Sequence, residues 1–172
     1  MANPFFSDFN TPFLAYPFDK ITNEHYLPAF EEAIKQGLNE VNSIVENSNA
    51  PTFANTIEAL EKVGPLLETV SSVFFNLNSA ETSKEMQLLA KEISPKLSNY
   101  SNDIMLNDGL FKRVEAVYSI KDTLNLNAEQ ITLLDKTYKS FVRNGSKLNS
   151  TEKEQLRAID KELSEFTLTY SE

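Results

Sequence analysis

A chain of 172 residues, 41% hydrophobic and 24% charged, is long enough to bury a core of its own and is not composed like a disordered polymer. Its 25 acidic and 16 basic side chains leave a net charge of -9 with no basic run or stripe, so nucleic acid and anionic membrane surfaces are disfavoured partners. The absence of cysteine excludes disulfides, thiolate metal sites and cysteine nucleophiles, and no apolar stretch reaches the ~18 residues that cross a bilayer.

Residues 1–20 stand apart. Phe5, Phe6, Phe9, Phe13, Tyr16 and Phe18 crowd a segment punctuated by Pro4, Pro12 and Pro17. Proline disfavours helix both at its own position and at the residue before it, so an extended strap is predicted, its rings buried against the helices that follow. The opening residues lack a basic stretch, and Ser7, Asp8 and Asn10 interrupt their apolar character, so no signal peptide is expected. That favours a cytoplasmic protein, with the periplasm open if a leader was removed.

From residue 21 onward the apolar spacing is helical. The first helix starts at Thr22 or Asn23 and carries Tyr26, Leu27, Phe30, Ile34, Leu38, Val41 and Val45, with Pro28 tolerable in its opening turns. The second is predicted to start at a capping box of Asn55 and Glu58. Its stripe is Ile57, Leu60, Val63, Leu67, Val70, Phe74 and Leu77, and Gly64-Pro65 should kink it rather than end it. Thr82 with Glu85 should cap the third, whose face is Met86, Leu89, Ile93, Leu97, Tyr100 and Ile104, kinked at Pro95. Asn107 starts a shorter fourth helix with Leu110, Phe111, Val114, Val117 and Tyr118.

A capping box of Asn127 and Gln130 precedes Ile131, Leu134, Tyr138 and Phe141, and Gly145 should take the left-handed position after that helix. The last helix opens near Ser150 and carries Leu156, Ile159, Leu163, Phe166 and Tyr170. No Gly, Asn or Pro stop follows before Glu172, which fits a break inside a helix at least as well as a frayed natural end. No stretch alternates with period two. The expected fold is all-α: an antiparallel bundle of about six helices, the two longest of ~22–25 residues and roughly 35 Å. It forms a single domain over residues 1–172, an extended aromatic strap over 1–20 and helices over 21–172.

Candidate chemistry is sparse. His25 is the one histidine, and an isolated imidazole without thiolates is a poor start for a metal site. Its expected role is in the first turn of its helix. Glu58 with Lys62, Glu92 with Lys96 and Asp135 with Lys139 have the spacing of solvated helix-face ion pairs, not of an acid/base pair in a cleft. No Gly-x-Ser-x-Gly elbow and no glycine-rich phosphate loop occurs. No catalytic, cofactor-binding or metal residue is assigned to this chain.

Several segments nevertheless form an ordered set: Asn3-Pro4 with the aromatic strap, Phe18-Asp19-Lys20-Ile21, Glu24 through Glu31, Pro51 through Ile57, Ser94 through Ser98, Leu110 through Val114, and Phe141 through Gly145. In order and spacing the set resembles the N-terminal helical region of the thimet-oligopeptidase-like zinc metallopeptidases, in the bacterial peptidyl-dipeptidase and oligopeptidase A branch. That family's His-Glu-x-x-His motif is not in this chain, since Glu24-His25 has the reverse order and no second histidine follows. The resemblance implies zinc in a longer parent, and a catalytic lobe of the same polypeptide as the partner. It further implies short peptides as substrates and a role for these helices as part of the wall of a substrate channel. An apolar surface normally covered by that lobe would then stay exposed and drive self-association. The alternative is a stand-alone all-helical module that binds a protein or peptide in a groove.

Overall fold

The computed structural model describes residues 2–9 and 11–170, the side chains of residues 165 and 168–170 excepted. Seven α-helical segments follow one another: α1 Asn23–Val45, α2 Ala59–Glu61, α3 Pro65–Ala80, α4 Lys84–Met105, α5 Asp108–Ser119, α6 Ala128–Arg143 and α7 Ser150–Tyr170. A π-wound turn, Phe53–Glu58, runs directly into the short α2. Among the described residues there is no strand, so the all-α expectation holds, with six helices of useful length.

Side-chain contacts fix the directions. Phe30 meets Phe74 (ring centroids 5.7 Å apart) while Glu40 accepts from the Gly64 backbone N–H at 2.8 Å, so α1 and α3 are antiparallel. Asn23 reaches Glu85 and Lys96 reaches Glu31, so α1 and α4 run parallel. Arg157 binds Asp103 and Lys153 binds the Leu106 carbonyl, setting α7 antiparallel to α4. Phe111 beside Phe141, and Lys121 on Asp135, do the same for α5 and α6.

Helix α1 is the spine of two core clusters. Its first half joins Phe5, Val70, Phe74, Met86 and Ile93 around Tyr26 and Phe30. Its second half joins Phe53, Ile57, Leu110, Val114, Leu134 and Phe141 around Val41 and Ile44. Fully burying a side chain the size of Phe30 or Phe74 contributes about 2–3 kcal/mol each. The buried line of α1 also includes Ala29, Ala33 and Gly37, whereas Ile34, Leu38 and Val45 flank it half-buried. At Gly37 α4 approaches closely: a Cβ there would run into the Tyr100 phenol ring, with Cζ at 3.0 Å.

Several local expectations are corrected. The second helical segment is capped one turn earlier, at Thr52: the Asn55 N–H donates to Thr52 Oγ1 (3.1 Å), and the Thr52 N–H donates to Asn55 Oδ1 (2.8 Å). Asn55 is thus the third residue of the box rather than its cap. Gly64-Pro65 ends one helix and starts the next, because Gly64 sits at φ +80, a left-handed conformation that helical hydrogen bonding cannot pass through. Ser83, not Thr82, caps α4, accepting from Met86 N–H at 3.2 Å and freeing Glu85 for Asn23. α4 continues past Pro95 as one helix, as the expected kink without a break allows.

The strap also departs from expectation. Single tight turns at Pro4–Phe6 and Pro12–Leu14 interrupt it. Phe5 is buried against Tyr26 and Phe9 is partly covered, but Phe6, Phe13 and Phe18 remain exposed. Phe13 and Leu14 both take positive φ, 59 and 56, which turns their side chains outward.

Candidate functional site

The residues that carry the family resemblance meet at joints of the fold. Asn3 Nδ2 donates to the His25 carbonyl at 2.8 Å, fastening the strap to the first turn of α1. His25 itself completes that turn: the Thr22 backbone N–H donates to His25 Nδ1 at 3.0 Å, with the Thr22 hydroxyl 3.2 Å from the same nitrogen. Arg113 on α5 is buried and reaches back to the Pro51–Ile57 segment. It donates to the carbonyls of Asn47 (2.8 Å) and Asn49 (3.3 Å) and to Asn55 Oδ1 (3.2 Å). Asn55 closes the loop by donating to the Ala50 carbonyl at 2.9 Å. Two of the sequence segments therefore form one hydrogen-bonded unit.

The Phe141 through Gly145 segment ends α6 in a Schellman turn. The Ser146 N–H reaches the Phe141 carbonyl (3.1 Å) and the Gly145 N–H the Val142 carbonyl (3.3 Å), with Gly145 at φ +89 as expected. That turn delivers the chain to α7. Asn149 and Glu152 form a reciprocal capping box at its start, at 2.9 and 3.0 Å.

Two cations hold α7 on α4. Lys153, 8% exposed, donates to the Leu106 carbonyl at 3.1 Å and binds Asp108. That hydrogen bond holds the Asp108 carboxyl below the usual carboxylate range. Arg157 binds Asp103 at 2.7 Å. Beyond these ties the apolar stripe of α7 is uncovered: Ile159, Leu163 and Phe166 are 60%, 59% and 68% exposed. Tyr170, which extends the stripe in sequence, has a side chain outside the described residues. A shallow groove between the two helices is lined by Ser94, Ser98 and Asn102 of α4 and by Asp160, Leu163 and Thr167 of α7. An exposed apolar stripe thus runs beside a groove with a mostly polar lining.

The other sequence candidates stay on the surface. Asp135 pairs with Lys139 as expected (3.5 Å) and more closely with Lys121 (3.0 Å), whose hydrogen bond is the main cause of its lowered pKa. Lys96 turns from Glu92 to Glu31 on α1, at 2.8 Å, and among the described residues no ion pair joins Glu58 to Lys62. Among the described residues no group of three or more His, Cys, Asp or Glu is placed to hold a metal ion. No helix of the described residues is long and apolar enough to cross a membrane.

Arg113, Lys153 and the Asn149/Glu152 box were not singled out in the sequence. The box had a readable signal in Asn-x-x-Glu before an apolar run. The two cations had none, since a lone Arg or Lys on a helix reads as solvated.

No family model matches the chain. It is 40% identical over 170 residues to a dipeptidyl carboxypeptidase of Escherichia coli, covering 99% of this chain and 25% of that protein. It is 28% identical to the oligopeptidase A of the same organism, covering 99% and 25%. A probable cytosolic oligopeptidase A of Arabidopsis thaliana is 22% identical, with 99% and 24% covered. The chain therefore spans about a quarter of the length of these relatives and matches the N-terminal helical region of the dipeptidyl carboxypeptidase and oligopeptidase A enzymes, peptidases of the thimet-oligopeptidase family.

Proposed function

We propose that this chain is the N-terminal helical domain of a longer zinc metallopeptidase that hydrolyses short peptides. In this reading it contributes part of the wall of the substrate channel and no catalytic group. The observation that carries the reading is the match of nearly the whole chain, at 40% identity, to a quarter of a dipeptidyl carboxypeptidase. The exposed face of α7 supports it, because a stripe of Ile159, Leu163 and Phe166 is what a helix presents when a second lobe of the same polypeptide packs on it. The stand-alone module of the alternative reading would cover its last helix at home. Size exclusion, by admitting only short unfolded peptides, would be the domain's physical contribution to specificity. A cytoplasmic parent is part of this reading, with the periplasm as the alternative; of two Arabidopsis relatives one is named cytosolic and the other organellar.

The test has two parts. Reading the coding sequence past Glu172 should reveal an open frame carrying a His-Glu-x-x-His helix several hundred residues on; an immediate stop codon would favour the stand-alone module. The purified chain, supplied with zinc, should show neither stoichiometric metal nor peptide turnover. Reproducible turnover in a protease-free preparation would overturn the reading.

A further inference from the structure

We propose that His25 is a proton-sensitive latch that couples the N-terminal strap to the start of α1. The latch has two bolts on one residue. Its carbonyl accepts from Asn3 Nδ2 at 2.8 Å, and its ring nitrogen Nδ1 accepts from the Thr22 backbone N–H at 3.0 Å. At the third position of a capping box the usual acceptor is a Glu or Gln side chain, which keeps its lone pairs in neutral solution. Imidazole differs, because it is the side chain that takes up a second proton between about pH 5 and pH 8.

Protonation at Nδ1 removes the lone pair that the Thr22 N–H uses, so the two N–H groups then face one another. It also sets a positive charge in the first turn of α1, where the helix dipole disfavours cations. Both effects loosen the helix start in acid, and the strap segment held by the same residue loosens with it. Phe5 stays anchored on Tyr26, so the strap slackens at Asn3 without leaving the core.

The charged groups at this corner are Glu24 beside it on α1 and Glu85 of α4, which line one cavity with Thr22, Asn23 and Leu89. Glu85 is occupied by Asn23 Nδ2 at 2.9 Å, and none of the ion pairs among the described residues includes His25. Glu85 is already engaged by Asn23, so it does not take the place of the acceptor that Thr22 loses.

The test compares the 172-residue chain with its H25Q variant by NMR, reading amide-exchange protection (corrected for the intrinsic pH dependence) at Thr22 and the Asn3 side-chain amide. From about pH 8 to about pH 5, protection in the unmodified chain should fall about fivefold, the size of one helix cap, and in H25Q it should stay level. An equal fall in both chains, or none in either, overturns the proposal. If H25Q fails to fold, the ring 15N shifts of His25 in the unmodified chain decide it. Nδ1 must be the unprotonated nitrogen at high pH, and its titration must share a midpoint with the loss of Thr22 protection; separate midpoints overturn the latch.

Discussion

Helices α1 and α7 are close in length, 23 and 21 residues, and both carry apolar residues at three-and-four spacing, yet α1 is enclosed while α7 is half bare. Phe30 of α1 is wholly buried, whereas Phe166 of α7 is 68% exposed. The cause lies in what each helix is offered. α1 receives the strap, α3, α4 and α5 around its circumference, with Gly37 letting α4 come close. Among the described residues α7 packs chiefly on α4, and its first turns are held by Lys153, which also reaches Asp108 of α5, and by Arg157. A periodic stripe thus reports which face of a helix is apolar, and says nothing of whether the chain itself supplies the cover.

The sharpest way to break this contrast is to truncate one aromatic ring on each side of it. Phe74 touches Tyr26, Phe30 and Phe75, and Phe74→Ala should destabilise the chain by about 3–5 kcal/mol in urea unfolding. Phe166→Ser should change stability by less than about 0.5 kcal/mol, while sedimentation shows less self-association. A loss above about 2 kcal/mol for Phe166→Ser would mean that α7 packs on its own domain after all.

The buried cations come next. Arg113→Met keeps the volume of the stem but takes their donor from the carbonyls of Asn47 and Asn49 and one of several donors from Asn55 Oδ1, and should cost about 2–3 kcal/mol. Its effect belongs to the enclosed half and should appear as global unfolding. Lys153→Met should cost less, about 1–2 kcal/mol, because Asp108 across from it is largely exposed. Hydrogen exchange should place that loss in α7 alone; a global effect would erase the distinction between the two halves.

How far the sequence could be read follows the same division. Where one residue type at one spacing has one local solution, the reading held: Asn127 with Gln130, Asn107 before α5, and Gly145 after α6 all do what their spacing asks. Where neighbours compete, it slipped. Thr82 and Ser83 are both competent caps, and Asn55 can open a helix or close a box begun at Thr52. Gly64-Pro65 permits a kink or a break, and the left-handed φ at Gly64 decides for the break. Gly37 carries no apolar signal in the sequence, because it is the close approach of Tyr100 on α4 that puts it inside. The candidate face on α7 was legible as an apolar stripe, and an exposed apolar surface was expected without a place; that it lies on α7 is a tertiary fact. Arg113 and Lys153 were illegible for the same reason: only the folded chain shows that their stems are covered and their charges shared with carbonyls.

The smallest expected effect is on the pH dependence of stability, and its sign can be worked out in advance. Asp108 and Asp135 have carboxyls held below the ordinary range, chiefly by their hydrogen bonds to Lys153 and Lys121. A folded value below the unfolded one means that each pair's contribution is present above about pH 4 and is lost as pH falls through the folded value. Lys121 and Lys147 are shifted up, the former mainly by Asp135 and the latter mainly by the Tyr138 hydroxyl. Their contribution is present below the ordinary lysine range and fades only as pH climbs above it. Burial pushes the Tyr26 and Tyr100 phenols up as well, so ionisation in the unfolded chain erodes stability past about pH 10. The two limbs therefore report different places. Asp108→Asn should flatten the acid limb only in exchange measurements on α7, Asp135→Asn only in those on the α5–α6 pair. Because these carboxylates are at the surface, about 1 M salt should shrink both differences toward zero, while the alkaline limb set by the buried phenols should survive it.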